Sequence, residues 1–240
     1  MPRDGLFGSK GKVSTMAEKT IEVSKGILDR NDRIAAELRD VYAKHGICCV
    51  NLLSGPGAGK TTTIIATIEA LKGRYNVAVI EGDIASDVDA LKVKEHGAAA
   101  VQINTGGLCH LEGNMIMEAV DAFDQAVGLE NIDVIFIENV GNLVCPVDFD
   151  LGENQSIMIL SVPEGDDKPI KYPGIFQHAG AQLLNKVDVA PAFDFDMDRY
   201  TKTLDDLNPQ APRFAVSARK GEGMDAWCDW LIGQIEQARA

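Results

Sequence analysis

Residues 50–61 read VNLLSGPGAGKT, and a helical pattern continues from them to Leu71. An apolar strand, a glycine-rich turn and a helix in direct succession are typical of a phosphate-binding loop. The turn departs from the usual G-x-x-x-x-G-K-[ST] pattern at one place, because Ser54 stands where the first glycine is expected. A small residue can serve there if its φ is negative, and a glycine-rich turn with an accidental Lys-Thr is the alternative.

This loop supplies candidate phosphate ligands. Its glycines let backbone N–H groups converge on phosphate oxygens at a helix N-terminus. Lys60 would reach the terminal phosphates, and the hydroxyl of Thr61 suits a Mg²⁺ ion. The candidate nucleotide-binding residues of the segment are Gly55, Gly57, Ala58, Gly59, Lys60, Thr61 and Thr62.

Seven short apolar runs alternate with helical patterns along the chain. They are Ile47 to Leu53, Val77 to Ile80, Ala99 to Ile103, Val134 to Ile137, Ile157 to Val162, Ala181 to Leu184 and Phe214 to Val216. This alternation predicts βαβ units, and hence an α/β fold with a mostly parallel sheet flanked by helices. Ligands of such sheets bind at the carboxyl ends of the strands, where the motifs of this sequence also lie.

Composition narrows the class of protein. The 240 residues carry a formal net charge of −13, so nucleic acid and anionic membranes are not expected partners. There is no apolar run of about 18 residues and no signal-peptide pattern at Met1, which predicts a cytoplasmic protein. The 5 cysteines, an odd number, suit reduced thiols or metal ligands better than disulfides.

The two ends of the chain differ in pattern. Residues 1–15 are polar and aperiodic and predict a mobile tail, and residues 16–240 predict a single domain built around the phosphate-binding loop. That domain opens with an amphipathic helix at about 17–44, stopped by Gly46. A last helix at about 222–237 would bury Met224, Trp227, Cys228, Leu231 and Ile235, and Cys48 and Cys49 are likewise interpreted as core thiols.

A guanine-selecting motif follows the sixth run, where Asn185-Lys186-Val187-Asp188 stands at a predicted strand end. Asp188 can accept two hydrogen bonds from the N1–H and 2-amino groups of guanine, whereas adenine presents an acceptor to it. Lys186 would cover the ring. The backbone of Ser217, Ala218 and Arg219, after the last run, would face the guanine oxygen.

Two segments fit a hydrolytic Mg²⁺ site. The fourth run ends in the carboxylate of Glu138, and Gly141 then offers an N–H to a γ-phosphate. Asp83 follows the second run and is a candidate for binding Mg²⁺ or orienting water, with a helix cap or a solvated loop acid as the alternative. The candidate catalytic residues are Lys60, Asp83 and Glu138, and the candidate Mg²⁺ ligands are Thr61, Asp83 and Glu138.

A second metal site is predicted from Cys109, His110 and Cys145, two thiols and an imidazole near strand ends. Two unrelated thiols are the alternative. Three ligands would suit Zn²⁺ or Ni²⁺ held as transient cargo, or a site completed across a two-fold axis. Because Gly141 and Cys145 share one short loop, we expect nucleotide state and metal affinity to be linked.

The sequence resembles the HypB family of metallochaperone GTPases, which belong to the dimer-forming class of P-loop proteins. The matching stretches are Asn31-Asp32, Asn51 to Thr63, Thr105 to Leu111, Glu138 to Pro146, Glu164 to Pro173 and Asn185 to Asp188. The resemblance implies GTP-driven insertion of nickel into the large subunit of a nickel-iron hydrogenase, together with a HypA-type zinc protein. It also implies that Cys109, His110 and Cys145 form a metal site at a nucleotide- or metal-dependent homodimer interface.

Three other functions stay open. A related GTPase that inserts nickel into urease uses similar chemistry, although the block from Asp167 to Pro173 favours hydrogenase. A GTP-binding protein that buffers or regulates metal is a second alternative, which the lack of a Cys motif or a His-rich stretch in residues 1–44 disfavours. An ATPase that partitions other cargo is the third, and Asp188 argues against it. Lys168 lies in the block that favours hydrogenase, without a role that its sequence explains.

Overall fold

The computed structural model describes residues 14–82 and 92–240, with side chains from residue 26 onward. Seven parallel strands form one sheet in the order β3-β2-β4-β1-β5-β6-β7. The strands are β1 Cys48–Ser54, β2 Val77–Glu81, β3 Ala99–Gln102, β4 Val134–Glu138, β5 Gln155–Ser161, β6 Ala181–Asn185 and β7 Arg213–Ala215. Each of the seven predicted runs is therefore a strand, and the predicted α/β fold is confirmed.

Helices cover both faces of this sheet. Those that lie wholly within the described residues are α1 Ser14–His45, α2 Lys60–Leu71, α3 Gly113–Val127, α4 Lys168–Lys171, α5 Pro173–Gln177, α6 Met197–Leu207 and α7 Met224–Ala238. The central strands β1, β2 and β4 are buried along their whole length because both of their faces are covered. This is why they read as continuous apolar runs in the sequence.

Neighbouring residues of β1 enter different cores. Cys48 packs with α2 and α7, whereas Cys49 packs with α1 and α3 on the opposite face. Helix α7 buries the five residues predicted for it, including Cys228. Burial raises the pKa of Cys48 to about 12 and that of Cys228 to about 11, as expected for thiols that serve as core side chains.

Helix α1 crosses one face of the sheet and ends before Gly46, whose φ is 65°. Its second half packs on the sheet, with Leu38 and Tyr42 buried. Ile27, in the first half of the helix, is 50% exposed, because the described core reaches only the later turns. The predicted mobile tail lies outside the described residues, apart from residues 14 and 15, which begin α1.

Across the described ranges 14–82 and 92–240, none of the helices combines the length and the apolar character needed to cross a bilayer. The carboxyl ends of β1, β2, β4 and β6 converge at one edge of the sheet. The candidate functional residues lie along this edge.

Candidate nucleotide and metal site

The phosphate loop connects β1 to α2 and borders a cleft of about 490 Å³. Lys60 is almost fully buried at the start of α2, and its Nζ donates to Ser54 Oγ over 3.1 Å. Among the described residues other than glycine, only Lys186 has a positive φ, so Ser54 meets the condition for replacing the first glycine. At Gly59, with φ 103°, a Cβ would lie 2.5 Å from Asn185 Nδ2, and only glycine avoids that overlap.

Oxygen ligands for a cation lie on one side of the cleft. Thr61 Oγ1 donates to Glu138 Oε1 over 2.9 Å, and Glu138 is buried at the end of β4. The same cleft is lined by Asn139, Val140 and Gly141, which continue from this strand. Hydroxyl and carboxylate oxygens are ligands that Mg²⁺ accepts. Asp83, the remaining candidate of this group, lies outside the described residues.

Glu81 is a further buried acidic residue, one position beyond the predicted run Val77 to Ile80. It ends β2 and pairs in register with Glu138 on β4. The strand extends one residue beyond the predicted apolar run, because a glutamate ends it. The signal was present, because VAVIE and VIFIE are apolar runs that both end in glutamate. Two glutamates therefore end neighbouring strands side by side, and Glu138 is the one of the two that lines the cleft.

Asn185 connects three segments of the nucleotide site. Its Nδ2 donates to the carbonyl of Ala58 in the phosphate loop over 3.0 Å, and its Oδ1 accepts from the N–H of Lys186 and of Ala218 over 2.8 and 3.1 Å. Lys186 adopts a left-handed conformation with φ 61°, and its Nζ donates to the carbonyl of Gly57. The buried side chain of Asn185 thus holds the phosphate loop and the two segments beside it in a fixed arrangement.

The base side of the site is a cavity of about 300 Å³ beside the phosphate loop. Its lining residues are Gly59, Thr62, Asn185, Lys186, Asp188, Val189, Ser217 and Arg219. The hydroxyl of Ser217, and then Lys220 at 3.4 Å, hold the pKa of Asp188 below its usual range. Asp188 is therefore a carboxylate, as a hydrogen-bond acceptor for guanine must be.

Two N–H groups of the segment Ser217 to Arg219, which is expected to face a base, have partners within the protein. The N–H of Ser217 donates to the carbonyl of Glu222 over 2.9 Å. The N–H of Ala218 donates to Asn185 Oδ1. Both N–H groups are hydrogen-bonded within the protein. These bonds hold the segment in place as one wall of the cavity. The bond from Ala218 is not visible in the sequence, because it depends on how β6 and β7 are placed.

The thiols of Cys109 and Cys145 lie near each other, although the two residues are far apart in the sequence. The neighbouring Cys145 thiol, as a hydrogen-bonding group, raises the pKa of Cys109, which is exposed. Cys109 Sγ lies 3.6 Å from His110 Nδ1, and the His110 ring stacks on Phe149 with 3.8 Å between ring centres. His110 Nε2 lies 3.5 Å from the carboxylate of Glu112. Burial and stacking therefore fix the orientation of the imidazole.

Two thiols and an imidazole are donors that suit Ni²⁺ or Zn²⁺. Within the residues that the structure describes, however, no three His, Cys, Asp or Glu side chains are grouped closely enough to hold a metal ion. A single chain thus brings the two sulfurs together and keeps the imidazole beside one of them. The backbone of the two segments is also linked, since Asn142 Nδ2 donates to the carbonyl of Cys109 over 3.3 Å.

A parallel sheet whose first strand enters a glycine loop, with an Asn-Lys-x-Asp segment at the same edge, defines a P-loop nucleotide-binding protein. A family model described as CobW/HypB/UreG, nucleotide-binding domain, matches residues 49–215. The chain belongs to this family, and its relatives place it in the HypB branch.

Two curated relatives and one solved structure are all named HypB. The hydrogenase maturation factor HypB of Rhizobium leguminosarum bv. viciae is 45% identical over 222 residues, which cover 92% of this chain and 72% of that protein. The hydrogenase/urease maturation factor HypB of Helicobacter pylori is 38% identical, over 90% of this chain and 89% of that protein. A crystal structure of HypB from Helicobacter pylori in complex with nickel matches with a TM-score of 0.82 and 38% identity, covering 87% of this chain and 96% of that one.

Proposed function

We propose that this chain is a Mg²⁺-dependent GTPase that uses the GTP cycle to control nickel delivery to the large subunit of a nickel-iron hydrogenase. Relatives named as hydrogenase maturation factors, one of them solved with nickel, support this function. GTP would be hydrolysed to GDP and phosphate. The metal held by the thiols is cargo in this proposal, with Ni²⁺ as the expected ion and Zn²⁺ as the alternative.

One observation carries the proposal. The segment that leaves β4 lines the nucleotide cleft at Glu138 and Gly141, and then reaches Cys145. Between them, Asn142 holds the backbone of Cys109. A change in this segment when the γ-phosphate is lost would therefore move one thiol relative to the other. By linkage, metal at the thiols would change nucleotide affinity by the same factor.

The proposed nucleotide and Mg²⁺ roles follow from the contacts in the cleft. Lys60 and the phosphate loop would bind the phosphates, and Asp188 would select guanine. Thr61 and Glu138 would hold Mg²⁺, which neutralises charge developing on the phosphates. Asp83 remains a proposed third member of this group.

The proposed metal site needs a partner chain or a client. Cys109, Cys145 and His110 would bind Ni²⁺, and a second copy of the chain would complete the coordination in a nucleotide- or metal-dependent homodimer. A HypA-type zinc protein is the proposed assisting partner. We also propose that residues 16–240 act as one domain in the cytoplasm, without binding nucleic acid or membrane.

A nickel titration tests the proposal. Ni²⁺ is titrated against a chromophoric chelator with the protein held in GDP or in a non-hydrolysable GTP analogue, and phosphate release from GTP is measured in parallel. We expect different Ni²⁺ affinities in the two states. Cys145→Ala should abolish the difference, and the matched variant Cys228→Ala, which changes a buried thiol in α7, should retain it. Equal affinities in both states would contradict nucleotide control of the metal.

A second client is favoured by one observation, since the Helicobacter pylori relative is named a hydrogenase/urease maturation factor. Incubation of the nickel-loaded chain with each apo-enzyme, hydrogenase large subunit or urease, separates the two. Nickel transfer to urease alone would replace the hydrogenase assignment. We expect transfer to the hydrogenase subunit.

A further inference from the structure

Asn31 is a buried amide inside the long helix α1. Its side chain is 5% exposed, although asparagine is a weak helix former and a buried amide is costly unless it is hydrogen-bonded. Both ends of the amide are used. This combination indicates that Asn31 has a task beyond packing.

The amide of Asn31 bridges two distant backbone segments. Its Oδ1 accepts from the N–H of Gly113 over 2.8 Å, and its Nδ2 donates to the carbonyl of Asp150 over 2.7 Å. Gly113 begins α3, so its N–H has no partner within that helix. The approach is close, because a Cβ at Gly113 would lie 3.3 Å from Asn31 Oδ1 and 3.2 Å from Ile34 Cγ2.

These two segments are the ones that carry the thiols. Cys109 and His110 lie shortly before Gly113, and Cys145 lies shortly before Asp150. The attachment to α1 is reinforced on the second segment, since Arg39 forms an ion pair with the Asp150 carboxylate.

The same two segments also touch each other directly. Phe149, next to Asp150, stacks on His110 with 3.8 Å between ring centres. Asn142 bonds the carbonyl of Cys109. Asn31, on α1, therefore adds a further link between the two segments that carry the candidate metal ligands.

We propose that Asn31 is a positioning residue of the metal site, which fixes the separation between the Cys109–His110 segment and the Cys145 segment. The inference rests on the proposed nickel function of those three residues. Metal affinity depends on how well the ligands are held before the ion arrives, and supporting residues behind the ligands contribute to it. Asn31 supplies that support by bonding the backbone on both sides.

Three variants test this role. Asn31→Ala removes both bonds, whereas Asn31→Asp keeps the acceptor for Gly113 and places a carboxylate against the Asp150 carbonyl. Thr67→Val is the matched control, because it also removes two buried side-chain hydrogen bonds, to the Thr63 carbonyl and from Trp227 Nε1. Thr67 belongs to α2, on the face of the sheet opposite α1.

Ni²⁺ affinity is measured by chelator competition, and Co²⁺ is used as a spectroscopic probe of thiolate coordination. We expect Asn31→Ala and Asn31→Asp to bind Ni²⁺ about tenfold more weakly than the wild type. We also expect their thiolate-to-cobalt absorption to change in intensity and position. Thr67→Val should lower the melting temperature and leave both metal readouts at wild-type values.

Wild-type Ni²⁺ affinity and an unchanged cobalt spectrum in either Asn31 variant would overturn the role of Asn31 and leave the proposed function standing. Equal weakening in Thr67→Val would also overturn it, since loss of stability alone would then explain the effect. A wild-type chain that binds no Ni²⁺ through Cys109 and Cys145 would remove the proposed function together with the inference. The failures are therefore distinguishable.

Discussion

Replacing Asn185 by alanine removes the amide that ties the phosphate loop to both sides of the base cavity. Three hydrogen bonds are lost, to the carbonyl of Ala58 and from the N–H groups of Lys186 and Ala218. Each such bond contributes about 0.5–1.5 kcal/mol net. Because Asn185 is buried, water does not replace the lost partner, and we expect the free energy of unfolding to fall by roughly 1.5–4.5 kcal/mol.

The same change should weaken nucleotide binding. Without the amide, the phosphate loop and the segments at Lys186 and Ala218 are no longer held in one arrangement. Nucleotide binding then has to order them, which costs free energy. A cost of about 1.4 kcal/mol corresponds to a tenfold loss, so we expect GDP affinity to fall by about tenfold or more. Urea denaturation gives the unfolding free energy, and calorimetric titration with GDP gives the affinity.

Asn208→Ala is the matched control for this experiment. Its Nδ2 lies 2.9 to 3.1 Å from the carbonyls of Phe176, Gln177 and Ala179, and its Oδ1 accepts from the N–H of Ala211 over 3.3 Å. We expect a comparable loss of stability with GDP affinity unchanged. Wild-type GDP affinity in Asn185→Ala, or an equal loss of affinity in Asn208→Ala, would refute the organising role of Asn185.

Three further predictions concern single groups of the site. Thr61→Val removes the hydroxyl beside Glu138 with little change of volume, and we expect phosphate release from GTP to fall on the order of 100-fold with the fold intact by circular dichroism; a wild-type rate would exclude Thr61 from the Mg²⁺ site. Inosine diphosphate lacks the 2-amino group that Asp188 would bind, so calorimetry should give about 10- to 100-fold weaker binding than for GDP. Asp188→Ala should erase that preference, and its persistence would place base selection elsewhere. The pKa of the Cys109 thiol is raised, so the thiol keeps its proton at neutral pH and Ni²⁺ must displace that proton. Ni²⁺ affinity should therefore rise with pH, about tenfold per unit for each proton released, below the raised pKa of the thiol. Cys109→Ser should make this rise less steep by the one proton that the thiol releases, and a pH-independent wild-type affinity would show that the thiol is not a ligand.

Much of the fold could be predicted because its determinants are local. The phosphate loop was recognised from residues 54–61, where a strand, a glycine turn and a helix adjoin in the sequence. The apolar face of α7 follows from the helical period alone, and the five residues predicted to be buried are buried. Ile27 shows the limit of such patterns. An apolar residue at helical spacing is buried only where a neighbouring element covers it, and the sequence does not say how far that cover extends.

The sequence by itself determined the strands, the phosphate loop, the base motif and which two cysteines are candidate metal ligands. Each of these features depends on adjacent residues or on a short repeat of apolar residues. Only the tertiary structure decided how these parts meet. The register of β2 against β4 sets Glu81 beside Glu138, the packing of α1 lets Asn31 reach Gly113 and Asp150, and Asn185 at the edge of the base cavity bonds Ala58 and Ala218. These contacts join residues far apart in the chain, and their distances follow from the packing of strands and helices that no local pattern encodes.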